Sequence, residues 1–342
     1  MSTRNRMFQV LFFLLIMGLT FHVFFRGQDL NEIRQALCQM KMRYLVLAVG
    51  MALFFVSAEG YMIWYLLSSM EGKSSLGQCV LYSFIGFFYS GITPSATGGQ
   101  PMQLYYMQKD GNTISESSVV LMTVALLYKF VLVVMGIGIL IFRFQFLHQE
   151  LKAFFPLYIL GLFLNSALVL AILGVMLFPS IIFKILTGTE YILVRIKIWK
   201  PSSKRQKNFK KFIGDYQRAV RWLICHKMKV LWVTVMTFLQ RCSVFLLTYV
   251  VYLGFSLQGA HMLEVMILQA SVYIAVDMLP LPGAQGITEL MYQAVFANVF
   301  TGVYLAPSLL VSRGINFYFL LVFSLLLILI RRIYGYYKTV VL

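Results

Sequence analysis

The chain has 342 residues, of which 60% are hydrophobic and 12% charged, and its formal net charge is +17. Soluble globular chains are about half apolar and a quarter charged, so a water-soluble enzyme is excluded, and disorder is excluded because it needs low hydrophobicity. A mean hydropathy of +0.80 turns the basic balance away from nucleic acid and toward a membrane. The cysteines Cys38, Cys79, Cys225 and Cys242 have no ligand-like spacing and read as reduced and structural.

A spanning helix needs about 20 mostly apolar residues. Met7–Phe25 is the first such run. Its basic Met1–Arg6 start imitates a signal peptide, but no small-residue cleavage site follows, so it reads as a span. Arg26–Arg43 comes next, with Leu30, Ile33, Leu37 and Met40 at helical spacing, and reads as an interfacial helix. Further spans are Tyr44–Leu67, Ser117–Phe142, Phe154–Phe178, Val230–Phe255 and Gly314–Ile330. Two stretches are shorter and interrupted: Leu76–Gly91, and Met262–Leu279 with its continuation Ile287–Tyr304. The expected fold is an all-α polytopic bundle of about eight membrane segments. It would be a single domain of two pseudo-repeated halves, 1–183 and 230–342, joined by a basic loop over 184–229.

Lys184–Lys229 holds 13 Lys/Arg against two acids, Glu190 and Asp215. Basic loops stay in the cytoplasm, so this loop, the N-terminus with Arg4 and Arg6, and the C-terminus with Arg331, Arg332 and Lys338 are all expected there. That requires the interrupted stretch Leu76–Gln108 to enter and leave on one side. Within the loop, Phe209, Phe212, Ile213, Tyr216, Val220 and Leu223 recur at helical steps opposite Lys210, Lys211, Arg218 and Arg221. This predicts an amphipathic helix, either lying on an anionic leaflet or serving only as a topology signal.

The sharpest signal is a pair of breaks. The first runs Thr93-Pro94-Ser95-Ala96-Thr97-Gly98-Gly99-Gln100-Pro101 and the second Pro280-Leu281-Pro282-Gly283-Ala284-Gln285-Gly286-Ile287-Thr288-Glu289. Both contain Pro-x-Ala-x-Gly, 188 residues apart, on either side of the basic loop. Irregular backbone at membrane depth is tolerated only where protein buries it or water reaches it. Interrupted segments in corresponding halves point to a transporter's binding site. Thr97 and Gln100 match a capping box, and Gly286 with Glu289 suggests a second helix start. Free N–H groups at such starts suit a lipid phosphate. The rival reading is a pair of tight turns between ordinary helices.

Six ionisable residues fall inside apolar segments: Glu59, Lys129, Arg241, Asp277, Glu289 and Arg313, the last read as the start of the final span. Intramembrane charges usually face a cavity and mark a pathway, or else pair with one another; three acids and three bases permit full pairing. Glu289 could receive a cationic headgroup or pair with Arg313. No metal-ligand spacing, nucleophile motif or nucleotide loop is present, so no cofactor, metal or catalytic residue is expected. The Tyr105-Tyr106 pair reads as packing, with a headgroup contact as the alternative.

The chain resembles the transmembrane, flippase region of the lysylphosphatidylglycerol synthase/flippase family (multiple peptide resistance factor). The resemblance rests on Thr93–Gln103, Leu279–Glu289 and Val311-Ser312-Arg313. Pro282, Gly283, Gly286 and Glu289 match the family's second motif, and Ala284 replaces a Gly. Gln103 stands where the family often has Arg, and Tyr128-Lys129 where it often has an acidic-Arg pattern. These departures bear on which substrate is handled. The resemblance implies translocation of an anionic or aminoacylated phospholipid, such as aminoacylated phosphatidylglycerol, across a bacterial plasma membrane. The family's soluble domain makes that lipid. After the last span only Arg331-Arg332-Ile333-Tyr334 and the short tail Gly335–Leu342 follow, so translocation without aminoacyl transfer is expected, whatever a lysyltransferase label would suggest.

On this reading Gly98, Gly99, Gly283 and Gly286 allow close backbone approach, and Thr97, Gln100, Gln103, Pro282, Glu289 and Arg313 complete the headgroup site. Rival classes are a solute or ion transporter, a membrane enzyme acting on lipid-linked groups, and a membrane partner of a separate synthase. Nucleic acid is not an expected partner, and nothing in the sequence sets an oligomeric state.

Overall fold

The computed structural model describes residues 30–70, 72–178 and 203–340, with scattered positions elsewhere. The first expected span, Met7–Phe25, and most of the loop before Ser203 lie outside the described residues. Among the described residues there is no strand. The helices are α1 Leu30–Gln39, α2 Met42–Ser68, α3 Leu76–Gly91, α4 Gly99–Lys109, α5 Ile114–Phe142, α6 Phe144–Leu151 and α7 Phe155–Leu177. There follow α8 Ser203–Cys225, α9 Lys227–Gly254, α10 Met262–Val276, α11 Ile287–Phe296, α12 Leu305–Arg313 and α13 Leu320–Val340.

By length and apolarity five stretches can cross a membrane: Met42–Ser68, Ile114–Phe142, Phe144–Leu177, Lys227–Gly254 and Gly302–Ile333. The spans read as Tyr44–Leu67, Ser117–Phe142, Phe154–Phe178 and Val230–Phe255 fall within the first four. The last needs correction. Arg313 does not start the final span but lies inside it, because α12 runs through a π-helical turn, Gly314–Phe319, into α13. Gly314 looks like a boundary, yet the wider turn carries the helix through it. Pro307 sits in the first turn of α12, where its missing N–H breaks no helical bond.

The two interrupted stretches are hairpins that enter from opposite ends of the bundle. At the end that carries the basic helix α8, Asn112 accepts from the Lys73 N–H at 3.0 Å and donates to Ser74 Oγ at 2.6 Å. The α3–α4 hairpin therefore returns to the side it left, as the charge pattern requires. Ser75 caps α3 with a capping box through Gln78. At 16 residues α3 is about 24 Å long, short of the roughly 30 Å hydrocarbon core. The α10–α11 hairpin is anchored at the other end, where Asn298 donates to Glu150 on α6 at 3.3 Å and the Ala260 N–H donates to the Tyr252 hydroxyl at 3.1 Å. The α10 helix has 15 residues and is equally short.

Around the hairpins, α2 packs along α9, α3 against α13, and α10 against α7 and α5. The apolar positions that hold them include Ala48, Ala52, Phe245, Leu268, Ile274 and Phe296, all buried. The interfacial helix α1 packs on α12 at the end opposite α8, with Ile33 and Ala36 buried.

The amphipathic helix α8 corrects another expectation. Its apolar face does not lie open to a leaflet. Tyr216, Ala219, Val220 and Leu223 are buried, and α8 packs against α5 and α9, with Ser115 donating to the Phe212 carbonyl. Lys211, Arg218 and Arg221 remain exposed on the outer face.

Candidate functional site

The tips of the two hairpins pack against each other. Their backbones correspond through the 3-10 turn and then diverge: Thr97 is helical where Gln285 is extended, with ψ of −18° and 149°, and Gly98 and Gly286 have φ of −83° and 85°. Each break is a 3-10 turn, Pro94–Ala96 in one and Pro282–Ala284 in the other, preceded by an extended residue, Thr93 or Leu281. Ser95 and Gly283 share left-handed φ values of 51° and 58°, and Ala96 and Ala284 share 55° and 50°. Gly98 and Gly286, which align in the Pro-x-Ala-x-Gly pattern, are the N-cap residues of α4 and α11.

That last point corrects the expected capping box at Thr97 and Gln100. Thr97 has helical φ/ψ of −68° and −18°, so its hydroxyl faces back and donates to the Pro94 carbonyl at 3.0 Å. The Gly98 N–H is taken by Thr93 Oγ1 at 2.9 Å, while that hydroxyl donates to the Tyr89 carbonyl at 2.6 Å. Thr93 is the anchor of the first break, and its fixed position before Pro94 is the only sequence signal for it. Gln100 is exposed on the first turn of α4, as are Pro94 to Thr97.

In the second break, Glu289 Oε2 accepts from the Gly286 N–H at 2.7 Å, as the sequence suggests. Its other oxygen accepts from Arg313 Nε at 2.9 Å, and Arg313 Nη2 donates to the Gly283 carbonyl at 2.8 Å. The guanidinium also lies 4.7 Å from the Phe317 ring centroid. Of the two fates open to Glu289, the structure shows the ion pair with Arg313. Pro282 is buried within this brace.

The glycines allow close approach, but to the protein itself. A Cβ on Gly283 would run into the Phe317 ring, one on Gly98 would meet Thr93, and one on Gly99 would meet Ser90 and the Gly86 carbonyl. Gly86 in turn leaves room for the Gln103 side chain, which donates to Glu59 at 2.7 Å. Gln103 thus faces α2.

The remaining intramembrane charges gather beside the breaks. Lys129 on α5 pairs with Asp277 at the end of α10. Arg241 on α9 is fully buried among the rings of Phe55, Tyr128 and Tyr273. Among the described residues full pairing does not occur: Arg241 forms no ion pair within 4 Å and Glu59 is held by an amide. At the α8 end, Arg331 makes two 2.8 Å hydrogen bonds to the Asp110 carboxylate, which also accepts from the Tyr82 hydroxyl. This ties α13 to the first hairpin. Sequence reading missed it because Asp110 and Arg331 lie 221 positions apart. Tyr106 stacks under Arg331 at 4.6 Å, whereas Tyr105 is exposed.

The site therefore combines two facing helix breaks, one neutral and accessible, one charged and buried, with a shell of ionisable groups on α2, α5 and α9. No curated protein matches the chain. The family described as the lysylphosphatidylglycerol synthase TM region matches residues 6–324, and the chain belongs to that family.

Proposed function

We propose that this protein translocates phospholipid between the leaflets of a bacterial plasma membrane. The observation that carries the reading is the meeting of two short hairpins, anchored at opposite ends of the bundle, with the same pair of left-handed residues at their tips. We read this as an inverted repeat. Elements of that kind carry alternating access by moving one half against the other around a fixed site. The exposed stretch from Pro94 to Thr97, with Gln100 on the next turn, offers a polar headgroup a place to rest while the acyl chains stay in lipid. Family membership supports phosphatidylglycerol or its aminoacylated form as the lipid. The basic helix α8 and the C-terminal end of α13 lie at the same end of the bundle, which supports a cytoplasmic assignment for both.

The test is a liposome assay with fluorescent phosphatidylglycerol and the purified chain. Lipid should move between leaflets, and Gln100→Leu, which removes the exposed polar side chain of the first break, should slow it without loss of folded protein. An unchanged leaflet distribution with wild-type protein rejects the reading. Transfer of an aminoacyl group to lipid by the purified chain would favour the enzymatic alternative instead.

A further inference from the structure

Among the described residues, Arg241 has no hydrogen-bond partner for any of its three guanidinium nitrogens, although it is 0% exposed. Its Cζ lies 3.9 Å from the Tyr128 ring centroid, 4.5 Å from Phe55 and 5.6 Å from Tyr273. Aromatic faces attract the charge but accept none of the in-plane N–H bonds with which a guanidinium grips an oxyanion. The box therefore holds the cation without a well-formed hydrogen bond to its fork, the Tyr273 hydroxyl being an interacting polar neighbour.

Lys129 Nζ lies 5.2 Å from the same Tyr128 ring, so two cations flank one tyrosine. The Asp277 carboxylate is on Lys129, 3.5 Å from the Tyr128 hydroxyl, and in Coulombic range of Arg241. Asp277 is thus an anion set against two cations and a phenol, with the Glu59 carboxylate also in Coulombic range of Arg241. It closes α10, immediately before the second break, so it moves with that hairpin tip. The Lys129 and Asp277 side chains are 14% and 13% exposed; they form the outer layer and Arg241 the inner one.

We propose that Arg241 and Lys129 form an oxyanion site for a phosphate group, and that Asp277 is its internal plug. A phosphodiester carries one negative charge, as a carboxylate does, so exchanging one for the other leaves the charge of the site unchanged. Its two terminal oxygens can engage a guanidinium fork and an ammonium together. The phosphate belongs to a lipid headgroup or is a free anion. In its lipid form the proposal rests on the translocation reading.

The experiment uses the full chain in a phosphate-free maltoside detergent, titrated with dihexanoyl phosphatidylglycerol, inorganic phosphate or dihexanoylglycerol, with binding read by thermal melting and intrinsic fluorescence. The phosphatidylglycerol should bind and the phosphate-free glyceride should not. Arg241→Met should weaken binding by roughly tenfold or more, the scale of a lost hydrogen bond to a charged group. Its melting temperature should hold or rise, because an apolar side chain replaces an unpaired buried charge. Asp277→Asn should tighten binding, a sign that a purely structural pair with Lys129 does not produce. If Arg241→Met does not fold, Arg241→Lys, which keeps the charge but loses the fork, is read in its place.

Equal binding by the Arg241 variant, or weaker binding by Asp277→Asn, overturns the site. Binding of inorganic phosphate without the lipid keeps the site and assigns it to a free anion; binding of neither overturns it. In liposomes, transport that survives Arg241→Met rejects this site and leaves the translocation reading standing. Intact binding without any transport by wild-type protein does the reverse.

Discussion

The two helix breaks share a 3-10 turn with two left-handed residues and differ in how the chain leaves it and in the chemistry that holds it. The first is held by neutral hydroxyls, chiefly Thr93, and its residues Pro94 to Thr97 are exposed. The second is held by the Glu289–Arg313 pair, and its Pro282 and Gln285 are buried. Left-handed φ values recur at the same two positions of each, but Ser95 stands where the second break has Gly283. The comparison teaches that the Pro-x-Ala-x-Gly pattern specifies the turn, while the surrounding helices decide how firmly it is clamped.

The largest effect should come from breaking the charged clamp. Arg313→Ala leaves the 11%-exposed Glu289 side chain without its cation and should cost about 3–5 kcal/mol, read as a fall in melting temperature. A loss below about 1 kcal/mol would mean that the pair is solvated and that the two breaks are held alike.

Exchanging the residue that differs between the turns should be asymmetric. Gly283→Ser puts a Cβ into the Phe317 ring at a left-handed φ and should cost about 2–4 kcal/mol from strain and overpacking. Ser95→Gly relieves the same strain in open space and should change stability by less than about 1 kcal/mol. Equal costs in both directions would contradict the difference in packing.

Removing the neutral anchor should cost less than removing the charged one. Thr93→Val keeps the shape but leaves the Gly98 N–H and the Tyr89 carbonyl without their hydroxyl, for about 1–2 kcal/mol. It should leave the second break undisturbed, which amide exchange at Gly286 would report.

The smallest effect lies outside both breaks and serves as their control. Docking of α8 buries the Tyr216 hydroxyl, and that burial pushes its pKa up to about 12, above the ordinary tyrosine value. A raised phenol favours the neutral form in the folded state, so its contribution is complete below pH 10 and is lost as pH rises through about 12. Fluorescence of the neighbouring Trp222 should report undocking in that window, and Tyr216→Phe should abolish this part of the alkaline response while leaving both breaks unchanged.

Much of the candidate site is legible in the sequence because it is local. The spans follow from apolar runs, and the Gly286–Glu289 helix start from a three-residue spacing. Thr97 misleads for an equally local reason: its type suits a cap, but its backbone is already helical, and the capping work passes to Thr93. Arg313 misleads because a π-turn carries the helix past Gly314, a packing solution with no compositional mark. Arg331 reads as an orientation signal until its partner Asp110 is seen.

Hydropathy, charge and spacing alone specify a helical membrane protein with two similar interruptions and a basic loop. Each of those rests on hydropathy, charge or spacing along a few tens of residues. The tertiary structure alone shows that the hairpins enter from opposite ends, that α8 docks on protein, that Glu289 is paired with Arg313, and that Arg241 is boxed by aromatic rings with no hydrogen bond among the described residues. Those outcomes depend on which distant side chains share a low-dielectric interior. There an ion pair or an unmet donor matters far more than it does in water, and chain spacing carries no record of it.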